Sequence, residues 1–231
     1  MKKKVIVISL GGSQILQSSG EINLPYLRRL KKVLSKHSKK YKFIIVCGGG
    51  SVARKYISGL KKTGVSEKLQ SFAGISATRM NARFMNYFFN IDPKHGIPHT
   101  HKTLRKYVRT QNVTFCGALE YQPNQTSDST AAEIAKEFKA DFINITNIRG
   151  LFTKNPKKFK NAKFIPKIAW KEFDKMANKS KFKPGQHFVL DQTASKIILK
   201  NKIKTYITGQ QIKQIDNLLS NKAFNGTIIS G

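Results

Sequence analysis

Six short apolar runs punctuate the chain with almost no polar alternation: Val5–Leu10, Phe43–Cys47, Val113–Cys116, Phe142–Ile145, Phe188–Leu190 and Lys204–Thr208. A strand with one face in water alternates, whereas a strand covered on both faces does not. Amphipathic stretches lie between the runs, at Tyr26–His37, Val52–Lys61, Gly74–Phe89, Thr130–Phe138, Trp170–Asn178 and Thr193–Asn201. Buried strands alternating with helices predict an α/β sandwich around a mainly parallel sheet. No internal repeat or low-complexity linker interrupts the pattern, so residues 1–231 are expected to form a single unit. Lys154–Lys183 is the least regular segment and reads as surface loops and short helices.

A chain of 231 residues with 39% hydrophobic content is long enough to bury a substantial core, which excludes global disorder. Its longest purely apolar run, Phe43–Cys47, falls far short of the roughly 20 residues that span a bilayer. Met1-Lys2-Lys3-Lys4 before Val5–Leu10 imitates a secretion signal, but the apolar stretch stops at Gly11-Gly12, so a first strand is the better reading. Cys47 and Cys116 each end an apolar run and read as buried free thiols rather than a disulfide, which predicts a cytoplasmic protein.

Forty-three basic against 12 acidic residues leave a formal charge of +31. A field of that sign attracts polyanions: nucleic acid, acidic membrane surfaces or phosphorylated small molecules. The lysines are spread along the whole chain, and no RNA-recognition aromatic signature, zinc knuckle or basic heptad region accompanies them. They read as a solvated surface, with nucleic acid a partner only through nonspecific attraction.

Two of the runs end directly in glycine: Gly11-Gly12-Ser13 after the first, and Gly48-Gly49-Gly50-Ser51 after the second. The second cluster opens a helix. Such a junction bares unpaired N–H groups at the positive end of a helix, and a phosphate can approach where no Cβ intervenes. Arg54, within the first turn, adds a charge-assisted donor. A P-loop would need a lysine in register after the glycines, and none is present. Gly48-x-Gly50-x-x-Ala53 fits the dinucleotide fingerprint, but the stretch after Gly64 reads as helix rather than the next strand with its terminal acid. An ordinary tight turn is the remaining reading; two glycine-rich strand ends in one basic chain favour phosphate binding.

With few acids, each can be weighed. Glu133, Glu137 and Glu172 sit among lysines on helical stretches and read as surface pairs. Asp128 stands in Thr126-Ser127-Asp128-Ser129-Thr130 before an alanine-rich helix, where hydroxyls and N–H groups suit a phosphate and a carboxylate can orient a cation. The same residues could simply cap the helix, since Thr130-x-x-Glu133 is a capping-box pattern. Asp191 is a candidate N-cap for the Thr193–Asn201 helix. His95, His99 and His101 have spacing that a metal could use, but no rigid element or cysteine supports them, and no protein metal site is expected.

The motifs in order resemble the amino acid kinase superfamily, and within it the archaeal-type uridylate (UMP) kinases. The landmarks cover nearly the whole chain: Leu10–Ser13, Gly48–Ile57, Thr78–Ala82, Pro123–Asp128, Ala140-Asp141, Thr146–Gly150, Asn155–Lys158, Leu190–Ile198 and Gly226-Thr227. The resemblance implies a three-layer αβα sandwich that moves the γ-phosphate of ATP to UMP with Mg2+, giving UDP and ADP for pyrimidine synthesis. It also implies a homohexamer built as a trimer of dimers, with the UMP side mainly N-terminal and the ATP side mainly C-terminal.

Carried over residue by residue, Gly12 and Ser13 would touch the ATP phosphates, with Gly50 and Arg54 where the two substrates meet. Thr146, Phe152 and Asn155 would line the ATP nucleoside pocket. Gly49, Ser71, Tyr121, Gln122, Pro123, Asn124, Gln125, Thr126 and Ser127 would hold UMP, and Asp128, with Arg54, would organise the transfer.

The chain departs from the family pattern at Ser9, often a lysine that bridges phosphates, and at Ser71, often an aspartate for the ribose hydroxyls. It departs again at Arg149 (aspartate), Phe152 (tyrosine), Asn155 (aspartate) and Pro123-Asn124 (a Pro-Gly turn). These changes leave open a nucleotide-binding protein without useful catalysis. A kinase of the same superfamily with another acceptor is also open. Gly50–Arg54 lacks the histidine of isopentenyl phosphate kinases, and Tyr121–Asp128 resembles uridylate rather than amino-acid kinases.

Overall fold

The structure, a computed structural model, describes residues 3–123, 125–179 and 189–231. Its strands are β1 (Lys4–Leu10), β2 (Tyr41–Cys47), β3 (Val113–Cys116), β4 (Asp141–Ile145), β5 (Leu151–Phe152), β6 (Phe164–Ile165), β7 (Lys167–Ile168), β8 (Thr205–Thr208) and β9 (Gly226–Ile229). The helices are α1 (Gly12–Ile15), α2 (Leu24–His37), α3 (Gly50–Lys62), α4 (Glu67–Phe88), α5 (His101–Thr110), α6 (Ser127–Glu137), α7 (Trp170–Ala177), α8 (Gln192–Asn201) and α9 (Ile212–Leu219).

Seven strands form one sheet in the order β3-β2-β1-β4-β8-β9-β7, and β5 pairs with β6 in a separate hairpin. All neighbours in the large sheet are parallel except β8 and β9. The lack of alternation has the expected cause: successive residues of β1 enter different cores. Val7 packs with Leu104 of α5, Ala131 and Ile134 of α6, Phe173 of α7 and Ile198 of α8. Ile6, Ile8 and Leu10 pack with Leu27, Leu30 and Leu34 of α2, Met85 of α4 and Ile215 of α9. Helices cover both faces, giving three layers.

Register decides where the site lies. Leu10 pairs with Cys47 on one side and Ile145 on the other, so the segments after β1, β2 and β4 leave the sheet side by side at one edge. Ligands of open α/β sheets bind outside the carboxyl ends of the strands for this reason.

Several expectations need correction. Val189 and Leu190 lie in a bend rather than a strand, and Phe188 falls outside the described residues. Their burial comes from covering the sheet edge, where the Asn144 amide on β4 donates to the Val189 carbonyl at 2.5 Å. Helix α4 starts seven residues before Gly74, because Ser66 caps it by accepting from Leu69 N at 3.4 Å. The capping box is Thr126 with Ser129, not Thr130 with Glu133. Helix α6 therefore begins earlier than expected and brings Asp128 into its first turn. Among the described residues, no helix is long and apolar enough to cross a membrane.

Candidate active site

The two glycine turns are packed backbone to backbone. A Cβ on Gly12 would fall 2.3 Å from Gly50 N and 2.6 Å from Gly48 O. Gly50 also has φ of 62°, a left-handed conformation that glycine adopts without strain. The Gly48 N–H donates to Leu10 O at 2.9 Å, and Asn81 Nδ2 donates to Gly48 O at 2.7 Å, which pins the second turn from β1 and α4. The rest of the Thr78–Ala82 motif is similarly structural. Thr78 Oγ1 accepts from Ala118 N at 3.0 Å, and Arg79 holds the Ala118 and Leu119 carbonyls.

Helix α3 leaves this cradle with no side-chain cap and no acid in its first turn. Its leading N–H groups and the exposed Arg54 therefore face the cleft as unneutralised donors. The cleft, about 650 Å³, is lined by Gly12, Ser13, Gly49, Gly50 and Arg54, by Ser127 and Asp128, and by Thr146, Phe152 and Asn155. One space thus unites ten of the residues expected from sequence.

The far wall is the start of α6. Thr126 caps that helix, accepting from Asp128 N at 3.1 Å and Ser129 N at 3.5 Å. The Thr126 hydroxyl donates to Asp191 Oδ2 at 2.5 Å. Asp191 in turn caps α8, its Oδ1 accepting from Ala194 N at 2.8 Å. Thus the Asp191 expectation and the Thr126 cap are one connected device. Asp128 Oδ1 accepts a hydrogen bond from Ser9 Oγ at 2.6 Å. Burial pushes the Asp128 carboxyl up to about 7, the Asp191 carboxylate adds to that, and the Ser9 hydrogen bond opposes it.

At the other end, Asn155 Oδ1 accepts from Lys157 N at 3.0 Å and so holds the turn that follows it. Phe152 and Phe164 pack with ring centroids 5.5 Å apart, and the Arg149 guanidinium lies 5.4 Å and 4.5 Å from the two rings. This cation–aromatic stack gives Arg149 a place in the loop. Lys154, Lys157, Lys158 and Lys179 stand exposed on the same rim, and none makes an ion pair among the described residues. Sequence reasoning missed these four as site residues. In a chain with lysine everywhere, no local signal separates them.

The remaining expected residues do not line this cleft. Ser71 is exposed on α4 and donates to Glu67 O of its own helix at 2.9 Å. Its neighbour Phe72 stacks on Tyr121, centroids 5.3 Å apart. Gln122, Pro123 and Gln125 border a separate cavity of about 490 Å³ with His101, Glu120 and Glu133. Asn124 lies outside the described residues. The histidines do not converge: His101 pairs with Glu137, and the His95 carbonyl accepts from Tyr107. Among the described residues, no three His, Cys, Asp or Glu side chains are grouped to hold a metal.

Comparison with known proteins agrees with this geometry. A curated relative named "Uridylate kinase" from Thermoplasma volcanium is 34% identical over 220 residues, covering 94% of this chain and 93% of its own. Another of the same name, from Methanocaldococcus jannaschii, is 32% identical over 98% of this chain and 99% of its own. The crystal structure of uridylate kinase from Archaeoglobus fulgidus superposes with a TM-score of 0.82 at 29% identity, covering 97% of this chain and 99% of that one. The profile of the amino acid kinase family matches residues 4–209, and the chain belongs to that family.

Proposed function

We propose that the chain is a uridylate kinase, a phosphotransferase that moves the γ-phosphate of ATP to UMP and releases UDP and ADP. The observation that carries this reading is the single cleft in which two interlocked glycine turns, an uncapped helix start, Arg54 and Asp128 meet. Phosphoryl transfer asks a protein for positioning and charge neutralisation rather than a covalent nucleophile. Gly12 and Ser13 hold the ATP phosphates, Gly50 and Arg54 stand where donor and acceptor phosphates meet, and Asp128 organises the transfer. Thr146, Phe152 and Asn155 border the ATP nucleoside. UMP approaches past Gly49 on the α4 side of the cradle, and its contacts with Ser71 and residues 121–126, which lie outside the cleft itself, are part of this reading.

The donor set suits Mg2+ carried in on a nucleotide. Asp128 is the only carboxylate on the cleft wall among the described residues, and such an ion takes its other oxygens from phosphate and water. Asp128 would be the protein carboxylate beside it, and the ion would supply positive charge to offset that of the phosphates.

The exposed apolar residues Tyr56 on α3 and Leu69, Met80 and Tyr87 on α4 support self-association. At a 3.6-residue period the three on α4 share one face. A homohexamer in the cytoplasm is our reading of the working form.

The test is ADP formation from Mg-ATP with UMP, CMP, AMP or no acceptor. UMP-dependent turnover that Arg54→Ala and Asp128→Asn both cut steeply in folded protein is the expected result. Tight UMP binding without turnover for any acceptor would instead make this a nucleotide-binding member of the family.

A further inference from the structure

We propose that Ser9 is a positioning residue for Asp128, aiming its carboxyl at the cleft without touching substrate; this rests on the kinase reading above. Ser9 lies in the last turn of side chains of β1, is 1% exposed, and makes its hydrogen bond to Asp128 Oδ1 at 2.6 Å. A buried serine in a central strand has one proton to give, and this one gives it across the sheet to α6.

The surrounding groups cannot replace it. Thr126 also carries a hydroxyl on that wall, but its proton goes to Asp191 and its oxygen already accepts from two backbone N–H groups. The Asn144 amide, level with Ser9 on the neighbouring strand, donates to Val189 O. No lysine or arginine pairs with Asp128 among the described residues. Ser9 is therefore the one side chain that hydrogen-bonds the carboxyl among the described residues. Asp191, held by the α8 N-terminus and Thr126, repels it. A carboxyl held by one hydrogen bond and pushed by a neighbouring charge keeps the orientation which that bond sets. Without Ser9 only the push remains, and the group turns away from its place in the cleft wall.

The experiment is a double-mutant cycle on the full chain, with kcat and both KM values measured for Ser9→Ala, Ser9→Thr, Asp128→Asn and Ser9→Ala/Asp128→Asn. Losing one hydrogen bond to a charged group lowers kcat of Ser9→Ala by about tenfold or more. Both KM values stay within about twofold, since an effect confined to the transition state appears in kcat. Ser9→Thr, which keeps the hydroxyl, restores most of the rate. In single-turnover measurements the double variant is no slower than Asp128→Asn alone, because the only function of Ser9 acts through Asp128. A Ser9→Ala rate equal to wild type, or a full additional loss in the Asp128→Asn background, overturns the proposal. UMP-dependent turnover by the wild type is read in the same assay, so failure of the kinase reading is seen separately.

Discussion

At the glycine end of the cleft the backbones of two turns touch so closely that a single methyl group cannot be admitted, whereas at the hairpin end four lysines stand in solvent on short irregular segments. The first end is made of main chain. Its donors are N–H groups fixed by strand register and by the Asn81 and Leu10 hydrogen bonds. The second is made of long, exposed side chains that make no ion pair among the described residues. Fixed dipoles give geometry, and exposed charges give attraction without geometry. The chain thus separates the two requirements of phosphoryl transfer between the two ends of one cleft.

The sharpest way to break this contrast is Gly12→Ala. The new Cβ would meet Gly50 N at 2.3 Å, a backbone atom that cannot swing aside, so the turns must part. Displacing the cradle by about an ångström lowers turnover by about a hundredfold or more, together with a lower melting temperature. Steady-state rates and thermal unfolding check both.

Asp128→Asn comes next, and it separates rate from stability. Turnover falls steeply. Stability moves the other way, for a reason of sign. The folded state raises this carboxyl from 3.8 to about 7, so between those values it binds more protons than the unfolded state and stability declines as pH rises. Asparagine still accepts from Ser9 and carries no charge toward Asp191. The variant should melt higher than wild type at pH 8 and no higher at pH 4. In wild type, turnover declines below about pH 7 as Asp128 takes up its proton.

Removing the lysine rim should spare the chemistry. Replacing Lys154, Lys157, Lys158 and Lys179 by glutamine raises the KM for ATP several-fold and leaves kcat near wild type. The salt dependence of kcat/KM flattens, because screening then has less charge to act on. A large loss of kcat would show that the rim also positions.

Asp216→Asn, far from the cleft, sets the lower end of the scale. Asp216 ties α9 to Lys36 at 2.8 Å and His37 at 2.7 Å on α2, and those partners hold its carboxyl below the usual range. The Lys36 pair is exposed and screened, and asparagine can still hydrogen-bond the buried His37, so the loss is about 1 kcal/mol. It is present above pH 4 and fades as the carboxyl protonates in wild type. Thermal unfolding at two pH values reads it.

The same contrast governs what the amino-acid sequence reveals. Strands β1, β2, β3, β4 and β8 were legible because burial on both faces removes alternation, and their glycine endings marked the cradle. Residues 189 and 190 misled because apolar character reports burial, and a bend held by Asn144 buries as well as a strand does. Helix α5 escaped notice because only Leu104 and Val108 anchor it among basic residues. Helix α9 and strand β9 at the antiparallel end of the sheet also went unanticipated. Gly12, Gly50, Arg54 and Asp128, which line one cleft, stand in patterns readable along the chain. The bond from Ser9 leaves no such pattern, since it joins residues 119 positions apart through sheet register alone.

Cys47 and Cys116 end adjacent strands but belong to different cores, one on each side of the sheet. Burial raises both thiols, Cys116 to about 12, so neither offers appreciable thiolate while the protein is folded. Each layer of helices therefore carries its own seal. In a thiol-labelling experiment, Cys47 reacts only when the α2 and α4 layer lifts and Cys116 only when the α5 and α6 layer does. The two labelling rates, resolved by mass, would time the opening of the two faces independently. Equal rates would mark a sheet that opens as one cooperative unit, and unequal rates would identify the layer that lets go first.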